Sequence, residues 1–273
     1  MKLTIITINF NNAVGLKKTL ESVAVQTYKE YEHIIVDGNS TDGSVKFIQD
    51  YDYAHRATTE QKNPVIRWIS DNDKGIYAAM NKGVRMSQGE YVLMLNSGDS
   101  LVDAHVLERI MPQLDGTDIV QGNTIEEHDG KTIQNRGYGY LEITMRDVMA
   151  GNFLHQASFC RRDLFVRYGY FDESYAIVAD KKFFMTCLGL HDATFKYVDI
   201  DVANFDTTGI SSATSGEWSK KHEEEDKRIR NELFSNRLMA YIEESEKKSK
   251  MYKVLQSHKF LWRIVKLLTR FSD

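Results

Sequence analysis

Polar and acidic side chains follow four predicted strands, at the point where each strand ends. They lie in Asn9–Asn12, Asp37–Ser44, Ser70–Gly75 and Asn96–Asp99. Because the carboxyl ends of parallel strands meet at one edge of an open α/β sheet, these clusters are expected to converge on one crevice. Carboxylates there, with glycines beside them, can hold a divalent metal and through it a phosphate. A single Asp-Gly pair after a strand is usually a turn, but four clusters in succession favour a nucleotide-phosphate site.

Strands that alternate with helices are expected to position these clusters. The first strand is apolar on both faces, as is typical of a buried parallel strand, and the helices between the strands imply right-handed crossovers. The predicted strands are Leu3–Ile8, Tyr31–Val36, Val65–Ser70 and Tyr91–Leu95. The predicted helices are Gly15–Thr27, Ser44–Tyr51 and one that contains Ile76, Ala79, Met80, Gly83 and Val84.

The alternation becomes less regular after Asn96, and the remaining elements are shorter. Asn123–Tyr140 is expected to form a hairpin or loop, and Asn204–Ser215 a loop. The predicted helices are Ala104–Leu114, Thr144–Gly151, Arg161–Tyr168 and Asp180–Leu188. The predicted strands are Asp118–Gly122, Ala157–Cys160 and Thr194–Val198.

Composition limits the class of protein. With 273 residues, of which 42% are hydrophobic, the chain can bury a sizeable core. Its net charge of −4 says little about partners, because it averages over segments of opposite sign, and no nucleic-acid partner is expected. Two cysteines do not make a disulfide framework. The first strand reaches Asn9 too early for a signal peptide, and no run of about 18 apolar residues could span a membrane. We expect a cytoplasmic globular protein.

The C-terminal segment has a different composition from the rest of the chain. Residues 217–250 are heavily charged and favour a helix, and residues 250–271 are basic and amphipathic. Lys259, Arg263, Lys266 and Arg270 fall on one helical stripe, opposite apolar side chains. Two interpretations remain open. The segment 250–273 could lie on an anionic membrane surface, or it could pack on its own domain or on a second subunit of a homo-oligomer.

The order of these motifs resembles family-2 glycosyltransferases, which have the nucleotide-diphospho-sugar-binding fold called GT-A. The likeness is strong over about residues 1–100, weaker to about 215, and greatest to bacterial enzymes that build surface polysaccharides. It implies a GT-A domain over 1–215, with a donor half of about 1–100 and an acceptor half of about 101–215, and a helical extension over 216–273. The motifs that carry it are Thr4–Asn11, Ile35–Ser44, Asp71–Asp73, Gly75–Gly83, Gly89–Tyr91 and Leu95–Asp99.

The resemblance implies roles for residues of the donor half. Asp37 would bind the base of a nucleotide-diphosphate sugar, Asp73 the base or ribose, and Asn96 the ribose. Asn96-Ser97-Gly98-Asp99 stands where the family has an Asp-x-Asp motif. Asp99 would therefore be the metal ligand, for Mg²⁺ or Mn²⁺ bound mainly through donor phosphates and water. The full implied donor set is Thr7, Asn9, Asp37, Asp73, Gly75, Asn81, Asn96 and Ser97.

The resemblance also implies inverting transfer, in which a carboxylate takes the proton of the acceptor hydroxyl. Asp180, at a predicted helix start, best matches the family's base, although an Asp in that position also commonly serves as an N-cap. His155 and Gln156 would lie on the acceptor side. The Gln-x-x-Arg-Trp motif of processive members is not found, so addition of one sugar is expected, to a saccharide acceptor that is lipid-linked at the inner membrane face.

Two other functions remain as alternatives. A nucleotidyltransferase on a related fold would typically need a Gly-rich, basic N-terminal loop, but Asn9–Gly15 has no Arg and one Gly. A catalytically inactive nucleotide-sugar-binding protein would account for the reduced metal motif. Release of pyrophosphate rather than a nucleoside diphosphate would indicate the first alternative. Tight nucleotide binding without hydrolysis or transfer would indicate the second.

Overall fold

A computed structural model describes residues 1–57, 64–128, 131–140, 142–209, 215–235, 237–241, 244–245, 247–248 and 250. The chain forms two compact units, Met1–Asp226 and Lys227–Asp273, and the candidate site lies in the first. The predicted limits of 1–215 and 216–273 stay a prediction. The predicted basic stripe of 250–273 lies, beyond Lys250, outside the described residues.

A single mixed sheet organises the first unit. Its spatial order is β3-β2-β1-β4-β8-β6-β9-β5, and β7 pairs with β6. The strands are β1 (Leu3–Asn9), β2 (Tyr31–Asp37), β3 (Val65–Ser70), β4 (Tyr91–Met94), β5 (Ser100–Leu101), β6 (Ile119–His128), β7 (Lys131–Asn135), β8 (Ser158–Arg161) and β9 (Phe195–Phe205). The pairs among β3, β2, β1 and β4 are parallel, as is β6 with β9, whereas β8 runs antiparallel to β4 and β6. The predicted α/β sheet is confirmed, and its antiparallel members all lie in or pair with the second half.

Helices connect these strands and cover the sheet. They are α1 (Ala13–Ala24), α2 (Ser44–Ala57), α3 (Ile76–Met86), α4 (Val106–Ile110), α5 (Met145–Ala150), α6 (Asp163–Tyr168), α7 (Ala179–Leu190) and α8 (Gly216–Leu233). Helix α3 approaches β1 closely at Gly83, where an added Cβ would lie 2.4 Å from Cγ2 of Ile6. A larger residue at Gly83 would therefore push α3 away from the strand.

The main core lies between the central strands and α4. Leu93 on β4, Val120 on β6 and Phe159 on β8 are fully buried, and so are Leu107 and Ile110 on α4. Burial of such side chains contributes roughly 1.5–3 kcal/mol each. This core fixes the carboxyl end of β4, where the polar loop after residue 95 begins.

Strands β6 and β9 extend beyond the predicted 118–122 and 194–198. In β9 the aspartates Asp199 and Asp201 interrupt the apolar run, but they alternate with buried or half-buried Val198, Ile200 and Val202. Such alternation is the pattern of a strand with one solvated face. No helix within the described ranges is long and apolar enough to cross a membrane.

Candidate active site

The polar clusters at the strand ends meet in one crevice, as predicted. The side-chain amide of Asn9 donates to Oδ1 of Asp37 at 2.8 Å, and the Ser70 hydroxyl donates to Oδ2 of Asp37 at 2.6 Å. The amide of Asn12 reaches the carbonyl oxygen of Ser97 at 3.2 Å. These bonds join the ends of β1, β2, β3 and β4, so the convergence expected from parallel strands is confirmed.

Asp37 is the centre of this crevice. It is fully buried, and besides Asn9 and Ser70 it accepts the Ser40 hydroxyl at 2.6 Å and the Ser40 backbone N–H at 2.9 Å. Burial alone would raise the pKa of Asp37, but the hydrogen bonds from Ser40, Ser70 and Asn9 outweigh it and lower that pKa. Asp37 is therefore an ionised carboxylate that holds the loops after β1, β2 and β3 together.

Two buried amide oxygens at the strand ends have hydrogen-bonding capacity that their neighbours in the described ranges do not fill. Oδ1 of Asn9 and Oδ1 of Asn96 are buried and have no hydrogen-bond partner within the described part of the chain. A buried acceptor without a partner costs about 1–3 kcal/mol. These oxygens are accordingly places where a bound ligand could donate a hydrogen bond.

Thr7 and Asn81, two of the predicted donor residues, lie apart from this group. The Thr7 hydroxyl is buried in the sheet, 2.9 Å from Nε2 of His33. The Asn81 amide donates to the Phe171 carbonyl and to Glu173, each at 2.9 Å, and accepts the Phe171 N–H at 3.0 Å. Their contacts therefore hold the sheet together and tie α3 to the chain before α7.

The remaining residues predicted for the donor side lie in the loops between β3 and α3 and after β4. Asp73 pairs with Lys82 at 2.5 Å, while its Oδ2 is buried without a partner in the described chain. Gly75 precedes α3 with φ of +123°, a conformation that favours glycine. Ser97 donates its backbone N–H to the Ile8 carbonyl at 3.0 Å, which ties the loop after β4 to β1.

Asp99, the predicted metal ligand, lies beside a second carboxylate. Its Oδ1 accepts the Asp206 backbone N–H at 2.9 Å, and a Cβ on Gly98 would fall 2.3 Å from Oδ2 of Asp206. Asp99 is only 4% exposed, and its burial raises its pKa to about 6. Asp206 lies in a region predicted as a plain loop, so its approach to Asp99 was missed.

A hydroxyl on α1 holds this loop in place. The Thr19 hydroxyl donates to the Asp99 carbonyl at 2.6 Å and accepts the Gly98 N–H at 3.1 Å. Gly98 has φ of +108°, where glycine is favoured. Nothing in the local sequence marks Thr19, because its partners lie about eighty positions away. Among the described residues, no group of three or more His, Cys, Asp or Glu side chains could by itself hold a metal ion.

Asp180 takes part in a three-residue network. Its Oδ2 lies 3.0 Å from Nδ1 of His155, and its Oδ1 lies 2.9 Å from the Tyr77 hydroxyl, which is also 2.5 Å from the Ile177 carbonyl. Val178 occupies the N-cap position of α7, so Asp180 is not the cap. The contact between Asp180 and His155 joins two residues predicted separately, and Tyr77 was not predicted to belong to the site.

Electrostatics favour an ion pair in this network. Burial alone would raise the pKa of Asp180, but the hydrogen bond and charge of His155, with the bond from Tyr77, lower it. Burial alone would lower the pKa of His155, but Asp180, with a smaller contribution from Asp99, raises it. The arrangement therefore keeps Asp180 as a carboxylate, the form in which it can accept a proton.

A cavity of about 330 Å³ opens beside this network. Asn96 lines it from the donor side, and Gln156, which is 5% exposed, lines it near His155. His222 of α8 also lines the cavity. The lining residues are Ile76, Tyr77, Met80, Asn96, Glu126, Asn135, Asn152, Phe153, Leu154, His155, Gln156, Ala176, Ile177, Asp180, Phe205 and His222.

The fold of the chain is of the GT-A type. Its sheet matches the crystal structure of S. aureus TarS in complex with UDP-GlcNAc, with a TM-score of 0.61 and 20% identity over 81% of this chain and 61% of that one. It also matches a mannosyltransferase from Pyrobaculum calidifontis in complex with GDP-Man and Mn²⁺, with a TM-score of 0.54 and 18% identity over 73% of this chain and 55% of that one. At such identities the likeness establishes the fold alone.

Sequence comparison identifies the family. Residues 4–171 match the model of Glycosyl transferase family 2, and the chain belongs to that family. An uncharacterized glycosyltransferase of Mycobacterium tuberculosis is 30% identical over 215 residues, which are 77% of this chain and 76% of the relative. A PGL/p-HBAD biosynthesis glycosyltransferase of Mycobacterium bovis is 30% identical over 214 residues, 77% of this chain and 79% of the relative. The predicted family and fold class are thereby confirmed.

Proposed function

We propose that this glycosyltransferase moves one sugar from a nucleotide-diphosphate donor, a UDP-sugar, to a saccharide acceptor with inversion at the anomeric carbon. The observation that carries the proposal is the Asp180 carboxylate, paired with His155 in a cavity that Asn96 also lines. The solved complex of a fold relative with UDP-GlcNAc supports the choice of donor.

The proposed reaction is an in-line displacement. The acceptor hydroxyl oxygen attacks the anomeric carbon, and the bond from that carbon to the diphosphate oxygen breaks. Asp180 takes the hydroxyl proton, and the diphosphate leaves with the bonding electron pair. His155 favours the ionised form of Asp180 before transfer and orients it. One carboxylate base and no covalent intermediate give the inverted product.

The residues around Asp99 fit a divalent cation held largely by the donor. Asp99 and Asp206 bring two carboxylates to the loop after β4, and the repulsion between them helps to raise the pKa of Asp99. A cation relieves such repulsion. Two protein carboxylates suit Mg²⁺ or Mn²⁺ that takes its other ligands from phosphate and water. When bound, the metal would stabilise charge on the leaving diphosphate.

We place donor binding, as part of this proposal, in the crevice at the carboxyl ends of β1, β2, β3 and β4. Asn9 and Asn96 offer buried amide oxygens that lack partners in the described chain, and Asp37 fixes the surrounding loops. The role predicted for Asp37 at the base of the donor stays a prediction, as do the donor roles of Thr7, Asp73, Gly75, Asn81 and Ser97.

The acceptor proposed is a lipid-linked saccharide at the inner face of the cell membrane, in surface-polysaccharide synthesis. Its support is the basic amphipathic pattern of residues 250–273 and the bacterial type of the resemblance. Sedimentation with anionic vesicles, for the full chain and a chain lacking 250–273, tests this. Binding that survives the deletion would contradict membrane contact through this segment, and a loss of self-association would favour the homo-oligomer instead.

A donor screen tests the proposed function. Thermal shift with UDP-, GDP- and dTDP-sugars in the presence of Mn²⁺ is expected to single out a UDP-sugar. Incubation of that donor with saccharide acceptors is expected to release UDP. Pyrophosphate release would indicate a nucleotidyltransferase instead, and UDP binding without hydrolysis or transfer would indicate a binding protein.

A further inference from the structure

A buried carboxylate of α8 holds the chain just before the base-bearing helix α7. Glu225 is only 7% exposed, and its two oxygens accept the backbone N–H groups of Ala176 at 2.8 Å and Ile177 at 2.9 Å. Glutamate is rarely buried unless its charge is satisfied. Here the Glu225 carboxylate binds the backbone of Ala176 and Ile177, and both of these residues line the cavity.

The same stretch is held from its other side by the catalytic network. The Ile177 carbonyl lies 2.5 Å from the Tyr77 hydroxyl, which also contacts Asp180. Glu225, Ile177, Tyr77 and Asp180 therefore form a continuous chain of hydrogen-bonded groups. A shift of the peptide between residues 176 and 177 would carry the start of α7 with it.

Two further observations place this part of α8 next to α7 and the cavity. Asp226 forms an ion pair with Lys181, the residue after Asp180 on α7. His222, three positions before Glu225 and so on the same helix face, lines the cavity. All of these residues belong to the compact unit Met1–Asp226. The first part of α8, up to Asp226, therefore belongs to the same compact unit as the cavity.

We propose that Glu225 is a positioning residue for glycosyl transfer: it fixes the Ala176–Ile177 backbone so that Asp180 faces the acceptor hydroxyl. The proposal rests on the proposed function of Asp180 as the base. Glu225 touches neither substrate, and its effect passes through two backbone N–H groups and α7. Loss of the Glu225 carboxylate is therefore expected to reduce turnover rather than donor binding.

Glu225→Gln tests this role, with Glu224→Gln on the exposed side of α8 as the matched control. The variant keeps one oxygen for one N–H but places an NH₂ group against the other. Amide hydrogen exchange at Ala176 and Ile177 is expected to rise about tenfold, and kcat for UDP release to fall about tenfold. The KM for the donor and the exchange of β1 are expected to stay unchanged, which also shows that the variant is folded.

Glu225→Asp supplies the conservative comparison, because it keeps the charge on a shorter side chain. It is expected to retain more of kcat than Glu225→Gln. Exchange or kcat of Glu225→Gln within about twofold of the wild type, or an equal effect of Glu224→Gln, would overturn the proposal. A wild-type enzyme that releases no UDP from any donor would instead overturn the proposed function, so the two failures are distinguishable.

Discussion

The crevice proposed to bind the donor and the cavity proposed to receive the acceptor each contain a carboxylate, but the surroundings of the two carboxylates differ. Asp37 in the crevice has its oxygens occupied by neighbouring loops, through bonds to Asn9, Ser40 and Ser70. Asp180 in the cavity has contacts with His155 and Tyr77 and remains beside open space. Both have a lowered pKa, but only Asp180 is placed to exchange a proton with a ligand.

The comparison indicates that the acidic motif most visible in the sequence, Asp37-Gly38, does not have to supply the group that reacts. The Asp-Gly motif that begins at residue 37 builds a rigid frame, because a buried carboxylate with several donors fixes the loops that supply them. The carboxylate proposed as the base, Asp180, lies in a sequence with no Asp-Gly motif. Variants at the two sites should therefore have separable effects, on stability in the crevice and on turnover in the cavity.

Asp180→Asn is expected to have the largest effect on catalysis. The amide keeps the shape but cannot accept the acceptor proton, so kcat should fall by about 10²–10⁴-fold, the usual contribution of a general base. UDP release with a matched donor and acceptor measures it. Near-full turnover by the variant would show that another group is the base.

Asp37→Ala is expected to have the largest effect on stability. It leaves the donors of Asn9, Ser40 and Ser70 without their acceptor, so the free energy of unfolding should fall by about 3 kcal/mol. Urea denaturation followed by circular dichroism measures the change. Exposed Asp71→Ala is the control, with an expected change within about 0.5 kcal/mol. Equal stability of the two variants would contradict the role of Asp37 as a frame.

Asp99→Ala is expected to reduce the part of donor binding that depends on metal. Calorimetric titration with UDP in Mn²⁺ and in EDTA gives the two affinities, and their ratio should shrink by about tenfold in the variant because a cation ligand is lost. Affinity in EDTA should change little. A ratio equal to that of the wild type would remove Asp99 from the metal site.

His155→Gln is expected to change the pH dependence of turnover most clearly. Burial raises the pKa of Asp180, whereas the hydrogen bond and charge of His155 lower it. Removal of His155 is therefore expected to raise the pKa of Asp180. The base must be ionised, so the acid limb of the kcat/KM profile should move to higher pH. Tyr77→Phe should shift it in the same direction but less, because Tyr77 lowers that pKa less than His155 does. If the acid limb of His155→Gln stays where it is in the wild type, His155 does not influence the protonation of Asp180 during turnover.

The donor half could be predicted from the sequence because its signals are local. The four parallel strands are short runs rich in β-branched and aromatic residues, and each is followed by a polar cluster. Parallel pairing therefore brings Asn9, Asp37 and Ser70 together. The order of residues in the chain does not indicate which of these polar groups hydrogen-bond to one another and which remain free for a ligand. Thr7 and Asn81 entered the predicted donor set through the family resemblance, and the structure adds their bonds to His33 and to Phe171 and Glu173, while their donor roles stay predictions.

The acceptor half depends on contacts between residues far apart in sequence. Tyr77 and Asp180 are separated by 103 positions, and Asp99 and Asp206 by 107. Such pairs follow from the packing of α3, α7 and β9, which no local periodicity encodes. The role of Glu225 escaped prediction for the same reason, since a charged helix usually faces solvent.

The most direct test of the separation between frame and base is a calorimetric titration of Asp180→Asn with a UDP-sugar and Mn²⁺. The expected Kd lies within about twofold of the wild type, because Asp180 acts on the acceptor proton and not on donor binding. Donor binding lost together with turnover would contradict the account, since Asp180 would then belong to the donor site.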